Sequence, residues 1–111
     1  MVPDPYGGIS ISKGVLEIYY QYVRGSLSYK FRFRSPEIYL IGASDAGVAG
    51  EKLESRDFNF STGRAKHEWR DGSNEKNPQH VEWKKMAPRI PIRLKDMKYA
   101  YELEIFPSVF I

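Results

Sequence analysis

Apolar side chains recur at every second position through much of the chain, which is the spacing of a half-buried β-strand and not of a helix. The clearest example is VLEIYYQYVRGSLSYKFRFR, residues 15–34. Its two halves predict an antiparallel hairpin that turns at Gly25. Matching the apolar positions pairs Leu16 with Phe33, Ile18 with Phe31, Tyr20 with Tyr29 and Tyr22 with Leu27. On the other face, Glu17 then lies opposite Arg32 and Tyr19 opposite Lys30.

Two further hairpins are predicted by the same alternation. The segment DFNFSTGRAKHEW, residues 57–69, should turn at Thr62-Gly63, with Phe60 opposite Ala65 and Phe58 opposite His67. In RIPIRLKDMKYAYELEIF, residues 89–106, the turn should run through residues 95–98. The predicted pairs there are Leu94 with Tyr99, Ile92 with Tyr101, Ile90 with Leu103 and Arg89 with Glu104. Pro91 cannot donate to a strand ladder, so its strand is expected at a sheet edge or a strand start.

The rest of the chain predicts more strands and almost no helix. EIYLIGAS, residues 37–44, suits a strand covered on both faces, and shorter strands are expected at Ile9–Ser12 and Val81–Met86. The glycine-rich SDAGVAGEKLES, residues 44–55, predicts a loop with one short helical turn near Glu51–Leu53. About eight short antiparallel strands without helices indicate an all-β fold, with a β-sandwich as the first expectation and a small closed barrel as the alternative.

Composition excludes several kinds of chemistry. The 111 residues include no cysteine, so there is no disulfide, thiolate nucleophile or cysteine-ligated metal site. The length and the hydrophobic fraction of 41% suit a single domain over residues 1–111. The opening MVPDPYGGIS lacks the features of a signal peptide, and no apolar run approaches the ~18 residues of a membrane helix. We therefore expect a soluble, cytoplasmic protein, although a processed secreted chain would look the same.

The stretch HEWRDGSNEKNPQHVEW, residues 67–83, repeats histidine, glutamate and tryptophan on both sides of a polar loop. If its flanking strands pair with Trp69 opposite Val81 and His67 opposite Trp83, both tryptophans turn inward. His67 then faces the core beside Phe58, whereas His80 faces outward. Because the histidines lie on opposite faces and no HExxH pattern is present, neither a metal site nor another cofactor is expected.

The same register places Glu68 directly opposite Glu82. Carboxylates ~5 Å apart occur in retaining glycoside hydrolases, but the contact is unfavourable in an ordinary sheet. A hydrolase using this pair is therefore only a distant alternative. A chain of this length also leaves little room for the long loops that build a substrate cleft.

Two groups of residues are candidates for binding. The polar loop offers hydrogen-bonding side chains at Asp71, Ser73, Asn74, Glu75 and Asn77. The outer face of the first hairpin carries a basic row beside an aromatic ring, formed by Tyr19, Lys30, Arg32 and Arg34. Cations two residues apart on a strand are ~6.6 Å apart, a spacing compatible with a nucleic-acid backbone.

The missing catalytic motifs favour a non-catalytic interaction module that recognises a protein or a carbohydrate. A small basic barrel that binds nucleic acid is the first alternative. Self-association could involve the strand near Pro91 or the apolar tail Val109, Phe110 and Ile111, which we expect to be buried by the chain itself or by a second copy.

Overall fold

The fold is all-β, as the alternation predicts. The computed structural model describes residues 6–74, 76–87, 91–97, 101, 103–106 and 109–111, with only the backbone at Tyr6. The described residues form nine strands: β1 Tyr6–Ser12, β2 Val15–Tyr22, β3 Gly25–Arg34, β4 Glu37–Ala49, β5 Lys52–Asn59, β6 Arg64–Asp71, β7 His80–Lys85, β8 Glu104–Phe106 and β9 Val109–Phe110. A single 3-10 turn at Leu94–Asp96 is the one helical element among them.

Seven of the strands form one antiparallel sheet in sequence order, β1 to β7. Each strand pairs with its neighbours in the chain, which is what short turns between alternating segments produce. No pairing joins β1 to β7 in the part of the chain that the structure describes, so the sheet is open. Strands β8 and β9 form a separate two-stranded sheet.

One face of the large sheet, here called the inner face, carries the hydrophobic core. The core residues are Leu27, Tyr29, Phe31, Leu40, Ala43, Phe58, Ala65, Met86 and Ile111. The C-terminal segment covers them, because Leu103, Phe106 and Val109 pack against this cluster. On β3 the burial alternates: Phe31 is 1% exposed, whereas Lys30 and Arg32 lie on the opposite, outer face and are exposed. The predicted faces of this strand are confirmed.

The first two hairpins form with the predicted faces but with registers shifted by two residues. Leu16 lies opposite Phe31 and not Phe33, and Glu17 lies opposite Lys30 and not Arg32. In the second hairpin, Phe58 lies opposite Ala65. The predicted partners were wrong because the centre of each turn lies one residue earlier than expected, at Val23-Arg24 in the first hairpin and within residues 60–63 in the second. A shift of two leaves every side chain on its face.

Gly25 is a strand residue and not the centre of the turn that the sequence predicts. It lies opposite Tyr22, and the turn consists of Val23 and Arg24. A β-carbon at Gly25 would collide with the carbonyl oxygen of Ala46 on β4. The glycine is therefore required by the close approach of β4.

The predicted loop over residues 44–55 is wrong, because this segment is the end of β4 and the start of β5. Ala49 lies opposite Lys52, which leaves a two-residue turn at Gly50-Glu51 in place of a helical turn. Gly50 has φ +62°, a left-handed conformation that suits glycine in such a turn. Small residues such as Ala46 and Gly47 are strand residues here because β3 and β4 approach closely.

The third predicted hairpin does not form among the described residues. Ile92 and Arg93 instead contact β4, where the Leu40 amide donates to the Ile92 carbonyl at 2.8 Å. Leu94–Asp96 then forms the 3-10 turn, in which Arg93 Nε donates to Asp96 at 2.6 Å. Pro91 lies outside any strand and is exposed, so the edge strand expected there is also wrong. The predicted pairs at Arg89, Ile90 and Tyr99 lie outside the described residues.

The apolar tail is buried at its last residue. Ile111 is 0% exposed and belongs to the core, whereas Phe110 is 44% exposed. The Ile111 amide donates to the Leu103 carbonyl at 2.8 Å, and the Leu103 amide donates back to Ile111 at 3.2 Å. The expectation of burial by the chain itself is therefore confirmed for Ile111 and wrong for Phe110.

Candidate functional site

The pairing of β6 with β7 differs from the predicted register by one residue, which exchanges the faces of β7. Trp69 lies opposite His80, and His67 lies opposite Glu82. His80 therefore shares the inner face with His67, contrary to the sequence prediction. A one-residue slip moves every side chain of a strand to the other face.

Trp83 faces outward, where it is 61% exposed. The sequence prediction turned it inward because apolar residues were matched across the loop. Lys66 lies opposite Trp83, and its ammonium group lies 5.4 Å from the centre of the indole ring. Cation–π attraction makes a tryptophan acceptable on a solvated face.

The carboxylate pair proposed from the sequence is not formed. Glu68 lies opposite Val81 on the outer face, where Lys66 Nζ contacts it at 2.5 Å. Glu82 lies on the inner face opposite His67. Two carboxylates on opposite sides of a sheet cannot act on one glycosidic bond, so the hydrolase alternative is withdrawn.

Three aromatic rings form a contiguous stack on the inner face of β6 and β7. The rings of Trp69 and His80 are stacked, with centroids 5.3 Å apart, and His67 lies 4.7 Å from Trp69. His67 Nε2 donates to the Glu54 carboxylate at 2.5 Å. Within the described ranges, no group of three or more metal-ligating side chains is suited to hold an ion. The stack is a rigid wall held by β5, β6 and β7.

A cleft of about 620 Å³ lies between the His67 end of this wall and the C-terminal sheet. Of the three stacked rings, only His67 lines it. Its opposite wall contains Tyr22 and Tyr101, whose ring centroids are 6.4 Å apart at an angle of 45°. Phe106 and Val109 close the cleft toward the core. Its volume falls within the ~300–1,000 Å³ of small-molecule sites. We call this space the inner cleft.

Toward the Tyr22 end, the floor of the inner cleft is formed partly by glycine, which has no side chain. Across the sheet, Tyr22, Gly25, Gly47, Glu54, Trp69 and His80 form one row of neighbours. Gly25 and Gly47 line the cleft between Tyr22 and Glu54. Tyr22 and Trp69, in the same row, are four strand spacings apart, which is ~19 Å.

The inner part of the floor is an ion pair. Arg56 Nε donates to Asp45 Oδ1 at 2.9 Å, and Arg56 Nη2 donates to Asp45 Oδ2 at 2.5 Å. The hydrogen bonds to Asp45 raise the pKa of Arg56, so its charge is permanent. Arg56 Nη2 also donates to the carbonyl oxygen of Phe110 at 3.1 Å, which joins the floor to β9.

Tyr101 is held at the rim by hydrogen bonds to two neighbours, Tyr29 and Asp45. Its backbone has φ +60°, an uncommon conformation for a residue other than glycine. The Tyr101 amide donates to the Tyr29 hydroxyl at 2.9 Å, and the Tyr101 hydroxyl donates to Asp45 Oδ2 at 3.2 Å. Burial, followed by the charge of Asp45, raises the pKa of Tyr101. The phenol therefore remains protonated and acts as a donor.

Glu54 contributes a charged acceptor to the inner cleft. Burial alone would raise the pKa of its carboxyl group, but the hydrogen bond from His67 and the charge of Lys52 outweigh that effect. The pKa of Glu54 therefore lies below the ordinary 4.5. At neutral pH the group is ionised and cannot serve as the neutral acid that glycoside hydrolysis requires.

The polar loop predicted as a binding site uses much of its hydrogen-bonding capacity internally. Asp71 Oδ1 accepts from the Ser73 amide at 2.9 Å, a bond that lowers the pKa of Asp71. Asn74 Oδ1 accepts from the Lys76 amide at 2.9 Å, and Asn77 Nδ2 donates to the Asp71 carbonyl at 3.0 Å. Glu75 lies outside the described residues. Binding by this loop stays a prediction.

The basic row predicted on β3 is present, without the expected stacking partner. Lys30, Arg32 and Arg34 are exposed on the outer face. The ring of Tyr19 instead lies over β1, since β-carbons at Gly7 and Gly8 would come within 2.6 Å and 2.8 Å of it. The loop and the basic row lie at opposite ends of the sheet, so they do not form one site.

The residues that line the inner cleft were missed by the sequence prediction as site residues. Tyr22 was assigned to the core, and Asp45 and Glu54 were placed in a loop. Their shared face is visible only when the short turn at Gly50-Glu51 is known, because that turn sets Asp45 opposite Arg56. The apolar pattern gives no signal here, because Leu53 and Phe58 lie on opposite faces of β5.

No protein-family model, curated protein sequence or solved structure matches the chain. The described residues include no helix that is long and apolar enough to cross a membrane.

Proposed function

We propose that this protein is a non-catalytic binding module whose inner cleft takes a neutral carbohydrate. The observation that carries the proposal is a cleft of about 620 Å³ with the rings of Tyr22 and Tyr101 on one wall, the imidazole of His67 on the other and paired charged groups on its floor. Sugar rings present apolar C–H faces together with hydroxyl groups. Aromatic rings suit the C–H faces, and fixed hydrogen-bond donors and acceptors suit the hydroxyl groups.

The charged groups of the inner cleft are preorganised for hydroxyl groups. Asp45 is held by Arg56, and Glu54 is held by His67, so neither carboxylate has to be ordered when a ligand binds. The Asp45–Arg56 pair is neutral, and Glu54 also contacts the ammonium group of Lys52 at 3.5 Å, so both carboxylates are balanced by cations, which favours a neutral ligand over an ion. Preorganisation reduces the entropic cost of binding.

A protein partner is the other class that the sequence left open. The concave shape of the inner cleft favours a narrow ligand over a broad, flat protein surface. The ionised Glu54 supports binding without catalysis, because a hydrolase needs a neutral carboxylic acid beside its nucleophile.

The test is calorimetric titration with a panel of neutral oligosaccharides built from glucose, galactose, mannose or N-acetylglucosamine. Tyr22→Ala should weaken binding about tenfold, equivalent to ~1.4 kcal/mol. Tyr39→Ala is the matched control, since Tyr39 is half-buried on the outer face. The same samples are assayed for new reducing ends, which should not appear.

Three results would contradict the proposal. No binding by any oligosaccharide would remove the carbohydrate assignment, and loss of binding in Tyr39→Ala alone would move the site to the outer face. Release of reducing ends would show catalysis. Melting curves of both variants confirm that they remain folded.

A further inference from the structure

The outer face carries a second, basic surface at the end of the sheet away from the inner cleft. On β3 it contains Lys30, Arg32 and Arg34, which are exposed and successive on one face. On β6 and β7 it contains Arg64 and Lys85, which lie opposite each other. We call these five residues the basic surface.

The sheet register brings the two halves of the basic surface together. Lys30 lies opposite Gly42, Gly42 opposite Asn59, and Asn59 opposite Arg64. Lys30 and Arg64 are three strand spacings apart, which is ~14 Å. Only the short residues Gly42 and Asn59 stand between them, so an extended chain can lie across the sheet from one group of cations to the other.

The charges of the basic surface are poorly balanced. None of the ion pairs between described residues involves any of its five cations. Two anions lie opposite its members, Glu17 opposite Lys30 and Glu37 opposite Arg34, so five cations face two carboxylates. The excess of positive charge is therefore left to solvent or to an anionic ligand.

An exposed aromatic ring adjoins these cations. Trp83 lies two residues before Lys85 on the same face of β7, a separation of ~6.6 Å, and is 61% exposed. A positively charged track beside an accessible aromatic ring is the arrangement that binds single-stranded nucleic acids, with phosphates on the cations and a base on the ring.

We infer that the basic surface binds single-stranded nucleic acid, with the phosphodiester backbone on Lys30, Arg32, Arg34, Arg64 and Lys85 and an unpaired base stacked on Trp83. Duplex DNA fits less well, because its bases are already stacked and the sheet offers a flat face in place of an element that enters a groove. This site lies on the face opposite the inner cleft and is independent of carbohydrate binding.

The test uses fluorescein-labelled oligothymidylate, followed by fluorescence anisotropy at about 50 and 200 mM salt. If three to five phosphates are contacted, affinity should fall by about 20- to 100-fold between the two salt concentrations. Replacing Lys30, Arg32 and Arg34 together by Gln should weaken binding strongly. The matched control replaces Arg24, Lys52 and Lys76 by Gln, which removes the same charge from the opposite end of the sheet.

Trp83→Ala tests the stacking contact, and Trp69→Ala is its control on the other face. We expect Trp83→Ala alone to weaken oligothymidylate binding, by about 5- to 150-fold, which corresponds to the ~1–3 kcal/mol of a stacked base. Equal weakening by both triple variants would show general charge attraction and overturn the site. Absence of binding would overturn it as well.

Three competitors distinguish binding of single-stranded nucleic acid from general attraction to negative charge: heparin, duplex DNA and vesicles containing phosphatidylserine. The inference is supported if Trp83→Ala weakens binding to oligothymidylate and leaves binding to heparin unchanged. Tighter binding to heparin, to duplex DNA or to vesicles than to oligothymidylate would contradict it.

Discussion

Asp45 and Arg56 lie directly opposite each other on neighbouring strands, and the guanidinium group that binds Asp45 also binds the carbonyl oxygen of Phe110. One cation therefore links β4, β5 and β9. This contact places the C-terminal sheet over one end of the inner cleft, because Tyr101 also donates to Asp45.

Removing Asp45 should destabilise the protein, since the side chain of Arg56 is only 22% exposed and would lose its partner. We expect Asp45→Ala to lower the free energy of unfolding by ~1–3 kcal/mol in chemical denaturation. The control is Glu82→Ala, whose pair with Lys84 is well exposed and should contribute within ~0.5 kcal/mol. Equal losses from the two variants would contradict the linking role of Asp45.

Gly25→Ala tests the close approach of β4 to β3. A β-carbon there collides with the Ala46 carbonyl oxygen, so we expect a loss of ~1–3 kcal/mol in the free energy of unfolding. Gly42→Ala is the matched control on the same strand pair, because its β-carbon would lie 3.6 Å from the Phe58 carbonyl oxygen, an ordinary contact. Tolerance of alanine at Gly25 would favour the turn position that the sequence predicts.

Ile111→Ala tests the burial of the tail. Because Ile111 is fully buried in the core, the substitution should cost ~2–5 kcal/mol in the free energy of unfolding. Phe110→Ala should cost about 1 kcal/mol or less, since that ring is largely exposed while its carbonyl group remains available to Arg56. Size-exclusion chromatography at several concentrations checks whether a second copy covers the tail. A change in elution volume caused by Ile111→Ala would favour that arrangement.

Glu54 makes stability depend on pH in the acidic range. Its pKa is lowered in the folded protein, so its contribution is present above the ordinary pKa of 4.5 and is lost as the pH falls through the lower folded-state value. Melting temperatures measured from pH 6 downward should therefore fall less steeply in Glu54→Gln than in the parent. Parallel curves for the two proteins would show that the contact of Glu54 with His67 does not make stability depend on pH.

The side-chain alternation predicted the all-β class, the faces of β2, β3 and β6 and the inward position of Phe58 on β5, because a period of two survives a register shift of two. It could not predict where the turns are centred. At Gly25 the relevant contact is with Ala46 on a third strand, which no local pattern contains.

The face of β7 was wrong because Trp83 was assumed to be buried. Its contact with Lys66 depends on the strand register, so the hydrophobicity of Trp83 alone predicted the wrong face for β7. The C-terminal hairpin was wrong for a related reason. Alternating apolar residues at Ile92 and Leu94 suit a strand, but this segment pairs with β4 at a single position, Arg93 opposite Tyr39, before the 3-10 turn.

The central claim is that the inner cleft is the carbohydrate site, and the two tryptophans report on it directly. Trp69 packs against His67, which lines the inner cleft, and Trp83 lies on the outer face. In a two-dimensional ¹H–¹⁵N NMR spectrum each indole N–H gives its own signal, assigned with Trp69→Phe and Trp83→Phe. Titration with the oligosaccharide that binds in calorimetry should shift the Trp69 signal and leave the Trp83 signal in place. A shift of Trp83 alone, or of neither signal at saturation, would contradict the claim.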